Sequence, residues 1–257
     1  MEIKGKTAII TGSTGQLARA IVLSLAQSGT NCICIYNKNT PAAKKLQTDL
    51  KKLKVKSLFI QTDLTTEKNI EKTFAKIGKS AFVKTSADKF PAPRILINAA
   101  AVFDKKPIAD ITFDYIRQTL DINFTVSMIM TQKFIEFVQR KIKSDKKPIA
   151  KIINITDITA ESPPAGFSIY SASKAALIAA TKSLAKELAP DFTVNAVSPG
   201  IINFQKGTSA KLKKRILSHI PAGRTGSPRE VAAAVKFLIE NDYLTGHVLN
   251  IDGGRTG

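Results

Sequence analysis

The chain has 257 residues, 44% of them hydrophobic, enough to bury a large core and with no low-complexity stretch that would argue for disorder. Its formal charge of +19 invites a nucleic-acid partner held by counterion release. The lysines are scattered, however: Lys51-Lys52, Lys141 to Lys147 and Lys211 to Arg215 fall at expected helix ends and loops without interleaved aromatics, so nucleic acid is set aside for a solvated basic surface that attracts anionic ligands.

The opening Met1-Glu2-Ile3-Lys4-Gly5-Lys6 leads into Thr7-Ala8-Ile9-Ile10, an apolar run too short for a signal core or a membrane span, so no membrane partner and a cytoplasmic location are expected. In chain order, strand-like runs cover Thr7 to Thr11, Asn31 to Tyr36, Ser57 to Gln61, Arg94 to Asn98, Lys151 to Ile155, Thr193 to Val197 and His247 to Ile251. Helical spacing fills most gaps, as at Leu17-Ile21-Leu25 and Ala175 to Leu188. This alternation predicts one doubly wound (Rossmann-like) α/β domain over 1–257, with a mostly parallel sheet and helices on both faces. The least regular stretches are Gly78 to Pro93, Asp157 to Phe167 and Ile202 to Gly226; the last two follow strand ends, where open α/β sheets place ligands. Cys32 and Cys34, two apart on a strand, face one side and read as reduced core thiols.

Thr11-Gly12-Ser13-Thr14-Gly15-Gln16-Leu17-Ala18 joins the first strand to a helix through small residues, a turn that sets backbone N–H groups and a helix N-terminus against a pyrophosphate. After the second strand, Tyr36-Asn37-Lys38-Asn39-Thr40 has no acid for a ribose 2′-hydroxyl, while Lys38 and its polar neighbours suit a 2′-phosphate; NADPH is expected over NADH. Tyr170 and Lys174 stand four apart, on one face if helical, a pair suited to proton exchange near neutral pH. His219 and His247 have no ligand partners, so no metal is expected.

With Asp63-Leu64, Asn98-Ala99-Ala100-Ala101, Asn123, Asn195, Ser198-Pro199-Gly200, Thr245-Gly246 and Asp252-Gly253-Gly254, these motifs resemble, in order and over nearly the whole chain, the short-chain dehydrogenase/reductases. The resemblance implies that Tyr170 donates the proton, Lys174 holds the nicotinamide ribose and Asn123 anchors a relay water. It further implies a cofactor bed made by Gly12, Ser13, Thr14, Gln16, Leu17, Tyr36, Asn37, Lys38, Asn39, Thr40, Asp63, Leu64, Asn98, Ala99, Ala100, Thr156, Pro199, Gly200 and Ile202, and a homotetramer.

Two departures from that pattern matter. Gln16 and Ala18 replace glycines of the usual turn, which puts the closeness of the pyrophosphate in question. Thirteen residues before Tyr170, where the family has its catalytic Ser, stands Asp157. An ionised carboxylate repels a developing oxyanion but suits a substrate whose nitrogen is protonated or whose ring N–H groups donate to it. Asp157, with Tyr170 and Lys174, is similar to the set in pteridine reductases and dihydromonapterin reductases, and Phe103 falls where those enzymes stack a Phe on the pterin; Gln16 replaces the Arg usual there. Phe103 as plain packing, and a shifted Asp157 with the hydroxyl of Thr156 or Thr159 in its place, remain open. The expected function is reduction of a dihydropterin C=N bond with NADPH. The alternatives are a 3-oxoacyl-thioester reductase and, from another class, a non-catalytic NADPH-binding protein, against which Asn123, Tyr170 and Lys174 together argue.

Overall fold

Strands whose residues are apolar on both faces need cover on both, and the sheet here is built of such strands: Ile9, Ile10, Leu96, Ile97, Ile152 and Ile153 all lie at zero exposure. The computed structural model describes residues 1–81, 90–141, 148–204 and 207–256. Within them β1 (Thr7–Ile10), β2 (Asn31–Tyr36), β3 (Ser57–Gln61), β4 (Pro93–Asn98), β5 (Ala150–Ile155), β6 (Phe192–Pro199) and β7 (Val248–Ile251) form one sheet in the order β3-β2-β1-β4-β5-β6-β7. Every pairing is parallel.

Between them run α1 (Gln16–Gln27), α2 (Thr40–Lys52), α3 (Glu67–Ala81), α4 (Phe113–Leu120), α5 (Val126–Lys141), α6 (Ser168–Glu187), α7 (Ala210–Leu217) and α8 (Pro228–Glu240). Successive strand residues point to opposite faces, so Ile10, Ile97 and Val197 pack with Ile21, Leu25 and Val235 of α1 and α8. Ile9, Leu96 and Val194 pack instead with Met130 and Phe134 of α5. The chain winds from β1 outward through β2 to β3, then returns to place β4 on the other side of β1. That reversal opens a crevice at the carboxyl ends of β1 and β4, where such sheets bind ligands.

The expected strands are present to within two residues at each end. Two local expectations need correction. α3 continues to Ala81, so the start of the supposedly irregular Gly78 to Pro93 is helical, and 82–89 lie outside the described residues. Lys211 to Arg215 sit inside α7, whose Ser209 cap accepts from Leu212 N at 3.3 Å, and not at a helix end or loop. Lys141 closes α5, and 142–147 lie outside the described residues. Cys32 and Cys34 are free and buried in one core layer; burial pushes the Cys32 thiol up to about 12 and, as the leading cause, raises Cys34 as well.

At the foot of the sheet Lys151 on β5 is fully buried. Its ammonium donates to the Asn241 carbonyl at 2.8 Å and pairs with the Asp242 carboxylate at 2.7 Å.

Candidate active site

The turn after β1 presents backbone. Gly12 has φ +63°, and a Cβ there would come within 2.8 Å of Ala100 Cα, so only glycine lets the turn close against β4. Thr11 Oγ1 accepts from the N–H groups of Ala99 and Ala100 at 2.9 and 3.1 Å and holds that contact. Gly15 begins α1 with no capping side chain, and no acid stands in the first turn, which leaves the opening N–H groups for an anion.

A cleft of about 720 Å³ extends from this turn. Gly12 and Thr14 line it with Tyr36, Asn37, Lys38 and Asn39 after β2, Asp63 and Leu64 after β3, and Ala99 and Ala100 after β4. The exposed Asp63 carboxylate is engaged within its own turn, accepting from Thr65 N and Oγ1 at 2.9 and 2.8 Å. Asn39 Oδ1 caps α2 through Ala42 N, and Thr40 is the first residue of that helix. Asp114 and Arg117 of α4, with Asp121 just past its end, complete the wall; they carry no local signal in the sequence, because only the fold brings α4 over the cleft.

Several expected cofactor residues do structural work. Ser13 donates both its N–H and its hydroxyl to the Ile35 carbonyl, at 3.0 and 3.1 Å, so neither faces the cleft. Asn98 is buried, with Nδ2 donating to Asn154 Oδ1 at 2.9 Å and Thr131 Oγ1 at 3.1 Å. Thr156 turns its hydroxyl to the Val197 carbonyl at 3.0 Å. Gln16 is exposed and Leu17 half-buried on α1, and neither lines the cleft. Pro199 ends β6, and Gly200 and Ile202 follow it: Gly200 N donates to the Ile251 carbonyl of β7 at 2.9 Å, Gly200 leaves no room for a Cβ, which would meet Asp252 Cα at 2.7 Å, and Ile202 is buried.

Beyond the cleft lies the titratable cluster. α6 starts at Ser168, about two turns before the expected Ala175, so Tyr170 and Lys174 do share one helical face. Tyr170 Oη donates to Asp157 Oδ2 at 2.8 Å, and Asp157 Oδ1 accepts from Thr159 N at 2.8 Å. A carboxylate therefore meets the phenol where the alternative had placed a Thr hydroxyl. Burial first, then the Asp157 charge and hydrogen bond, hold the Tyr170 phenol well above its ordinary value. Lys174 donates to the Ile155 carbonyl at 3.0 Å and lies 5.9 Å from the Tyr170 ring; burial lowers its ammonium to about 8, against the pull of Asp157.

Asn123 lies in a wide helical turn, Asp121–Thr125, between α4 and α5. Its Oδ1 accepts from Val102 N at 2.9 Å, and its Nδ2 donates to the Val102 carbonyl at 3.1 Å and to Ser173 Oγ at 3.0 Å. The side chain thus joins the Val102 loop to α6.

Phe103, on that same loop, is 46% exposed. Its ring stacks on Phe167 at 4.8 Å and 16°, and meets the edge of Tyr170 at 4.7 Å and 75°. The sequence reading missed Phe167; the signal was an aromatic after Gly166, three residues before Tyr170. Among the described residues no cluster of His, Cys, Asp or Glu could hold a metal, and no helix is long and apolar enough to cross a membrane.

Comparison with known proteins bears on this site. The profile of a family described as "Enoyl-(Acyl carrier protein) reductase" matches residues 13–256. A 3-oxoacyl-[acyl-carrier-protein] reductase of Aquifex aeolicus is 34% identical, over 99% of both chains. One of Vibrio harveyi is 30% identical, over 99% of this chain and 98% of its own. Among solved structures, a short-chain dehydrogenase/reductase of Serratia marcescens superposes with a TM-score of 0.86 at 25% identity, covering all of both chains. A Tyr–Lys pair on α6 beside a dinucleotide-type crevice, together with relatives that span the chain end to end, places this protein in the short-chain dehydrogenase/reductase family of oxidoreductases.

Proposed function

We propose that the protein is an NADPH-dependent reductase that acts on a C=N bond of a flat nitrogen heterocycle, a dihydropterin or related pteridine. The hydrogen bond from Tyr170 to Asp157 carries this reading. A carbonyl becoming an oxyanion beside Tyr170 would face a carboxylate, which repels it. A ring nitrogen takes a proton instead, and neighbouring ring N–H groups donate to the carboxylate. The stacked Phe103 and Phe167 add a flat apolar wall at the same place.

The residues fit the cofactor. The uncapped start of α1 and the cleft lined by the Gly12 backbone suit a pyrophosphate, and Lys38 lines that cleft with no ion-paired carboxylate among the described residues, which suits a 2′-phosphate. When bound, NADPH supplies the hydride. Tyr170, kept protonated by its surroundings, gives its proton to the substrate nitrogen, and the Lys174 ammonium offsets the charge left on the phenol oxygen. Asp157 orients the ring. Lys38→Asp should remove a preference for NADPH over NADH of about tenfold or more, read by titration with each cofactor; equal affinities in the unaltered protein would exclude the assignment.

A second reading, 3-oxoacyl-thioester reduction, is favoured by the names of the relatives, which weigh for it and not for a pteridine. One assay separates the two. NADPH oxidation is followed with a dihydropterin panel and with an acetoacetyl thioester, on the unaltered protein and on Asp157→Ser. The pteridine reading expects dihydropterin turnover to fall by about tenfold or more and thioester turnover to rise. Efficient thioester reduction that Asp157→Ser leaves unchanged would assign the protein to the second reading.

A further inference from the structure

After Phe103 and Asp104 come two lysines with different fates. Lys106 N donates to the Gly166 carbonyl at 2.7 Å, and its ammonium lies over the Tyr115 ring at 5.5 Å. Lys105 has no such anchor for its charge. Its aliphatic stem lies across Gly166, with Cε and Cγ 2.9 and 3.0 Å from where a Cβ at that position would stand. Gly166 has φ +85° and immediately precedes Phe167, the ring stacked on Phe103. The Lys106–Gly166 hydrogen bond fixes the register of the two loops, and the stem of the exposed Lys105 lies along Gly166. Among the described residues no carboxylate lies within ion-pair distance of the Lys105 ammonium.

An exposed aromatic face with an unpaired, stem-held cation at its rim is a two-part recognition surface. From this we infer that Lys105 is a specificity-determining residue that selects substrates carrying an anionic group, a carboxylate or a phosphate, on the part that extends past Phe103 toward Gly166. The inference rests on the reading of this site as a reductase whose substrate crosses Phe103, and it narrows the substrate class: among pteridines, one with an acidic tail is preferred to one with a neutral side chain. A lysine suits either anion as a point charge, and its exposed setting makes the attraction sensitive to salt.

The test uses two matched pairs, each with one anionic and one neutral member: dihydrofolate with dihydrobiopterin, and acetoacetyl-coenzyme A with acetoacetyl-N-acetylcysteamine. For the pair the protein reduces, Lys105→Gln should raise KM for the anionic member about tenfold with kcat unchanged, leave the neutral member within about twofold, and abolish the salt dependence that separates them; Lys105→Arg should restore the unaltered behaviour. Equal effects on both members, or none, would overturn the role of Lys105. Turnover of the thioester pair alone would overturn the pteridine reading while still reading Lys105. Should neither pair be reduced, calorimetric binding of folate and biopterin to the NADP⁺-loaded protein must show the same contrast for the inference to stand.

Discussion

Lys151 and Lys174 are both buried against β5, Lys151 near the start of the strand and Lys174 across its carboxyl end. Lys151 has a full partner in the Asp242 carboxylate, with the Asn241 carbonyl as a second acceptor; burial still draws its ammonium below the ordinary value, and Asp242 opposes that. Lys174 has one carbonyl at 3.0 Å and only the through-space field of Asp157, and it falls to about 8. Lys151, on the strand, is thus held by pairing, whereas Lys174, reaching the strand from α6, is drawn down to about 8. A buried charge with its counter-ion is an element of structure, whereas one held short of its counter-ion remains available to a reacting phenol.

The largest test of this contrast is Lys174→Met. Turnover should fall by about a hundredfold or more, since the phenol loses its neighbouring cation, while the fold becomes more stable by about 1–3 kcal/mol. The sign follows from linkage. Lys174 titrates at about 8 in the folded chain and near its ordinary 10.5 when unfolded, so the unfolded chain binds more protons between these values. Its unfavourable contribution is complete below about 8 and vanishes as pH rises toward 10.5. The buried thiols and Tyr170, whose values are raised, push the other way at alkaline pH, so the difference between unaltered and variant proteins is the quantity to measure. A stability gap that does not shrink over this range in denaturant titrations would show that Lys174 is not held short of its charge.

Asp242→Ala breaks the other half. It leaves the Lys151 ammonium with the Asn241 carbonyl alone, and should destabilise the protein by about 1–3 kcal/mol, the smaller end applying because the Asp242 side chain is 51% exposed and water can replace it. Activity per folded molecule should be unchanged. A drop in turnover without loss of stability would erase the distinction between the two lysines.

Elements set by local pattern could be read in advance. Buried isoleucine runs mark strands, and four-residue spacing puts Tyr170 and Lys174 on one face; even the departure at Asp157 was visible, because it depends only on counting back from Tyr170. Partnerships across the fold could not. Lys151 and Asp242 are ninety-one residues apart and meet because β5 and the end of α8 share the foot of the sheet. Ser13 and Asn98 belong to cofactor-turn motifs, yet their side chains satisfy strand carbonyls and neighbouring amides, a competition that residue type alone does not decide. Phe167 is missed for the same reason: its importance comes from Phe103, far away in the chain.

The contact between Gly12 and Ala100 also limits how such a protein can change over evolutionary time. A side chain at 12 would collide with Ala100 Cα at 2.8 Å, with its N at 2.9 Å and with the Ala99 carbonyl at 2.9 Å, all of them backbone atoms. A clash with a side chain can be relieved by a second substitution that shrinks it, but no substitution removes backbone. Gly12 therefore has no compensating partner: in a library randomised at 12, 99 and 100 together, survivors should vary at the last two positions and keep glycine at the first. The drift already present in this turn, Gln16 and Ala18 in place of the usual glycines, lies a turn further along, on the helix itself.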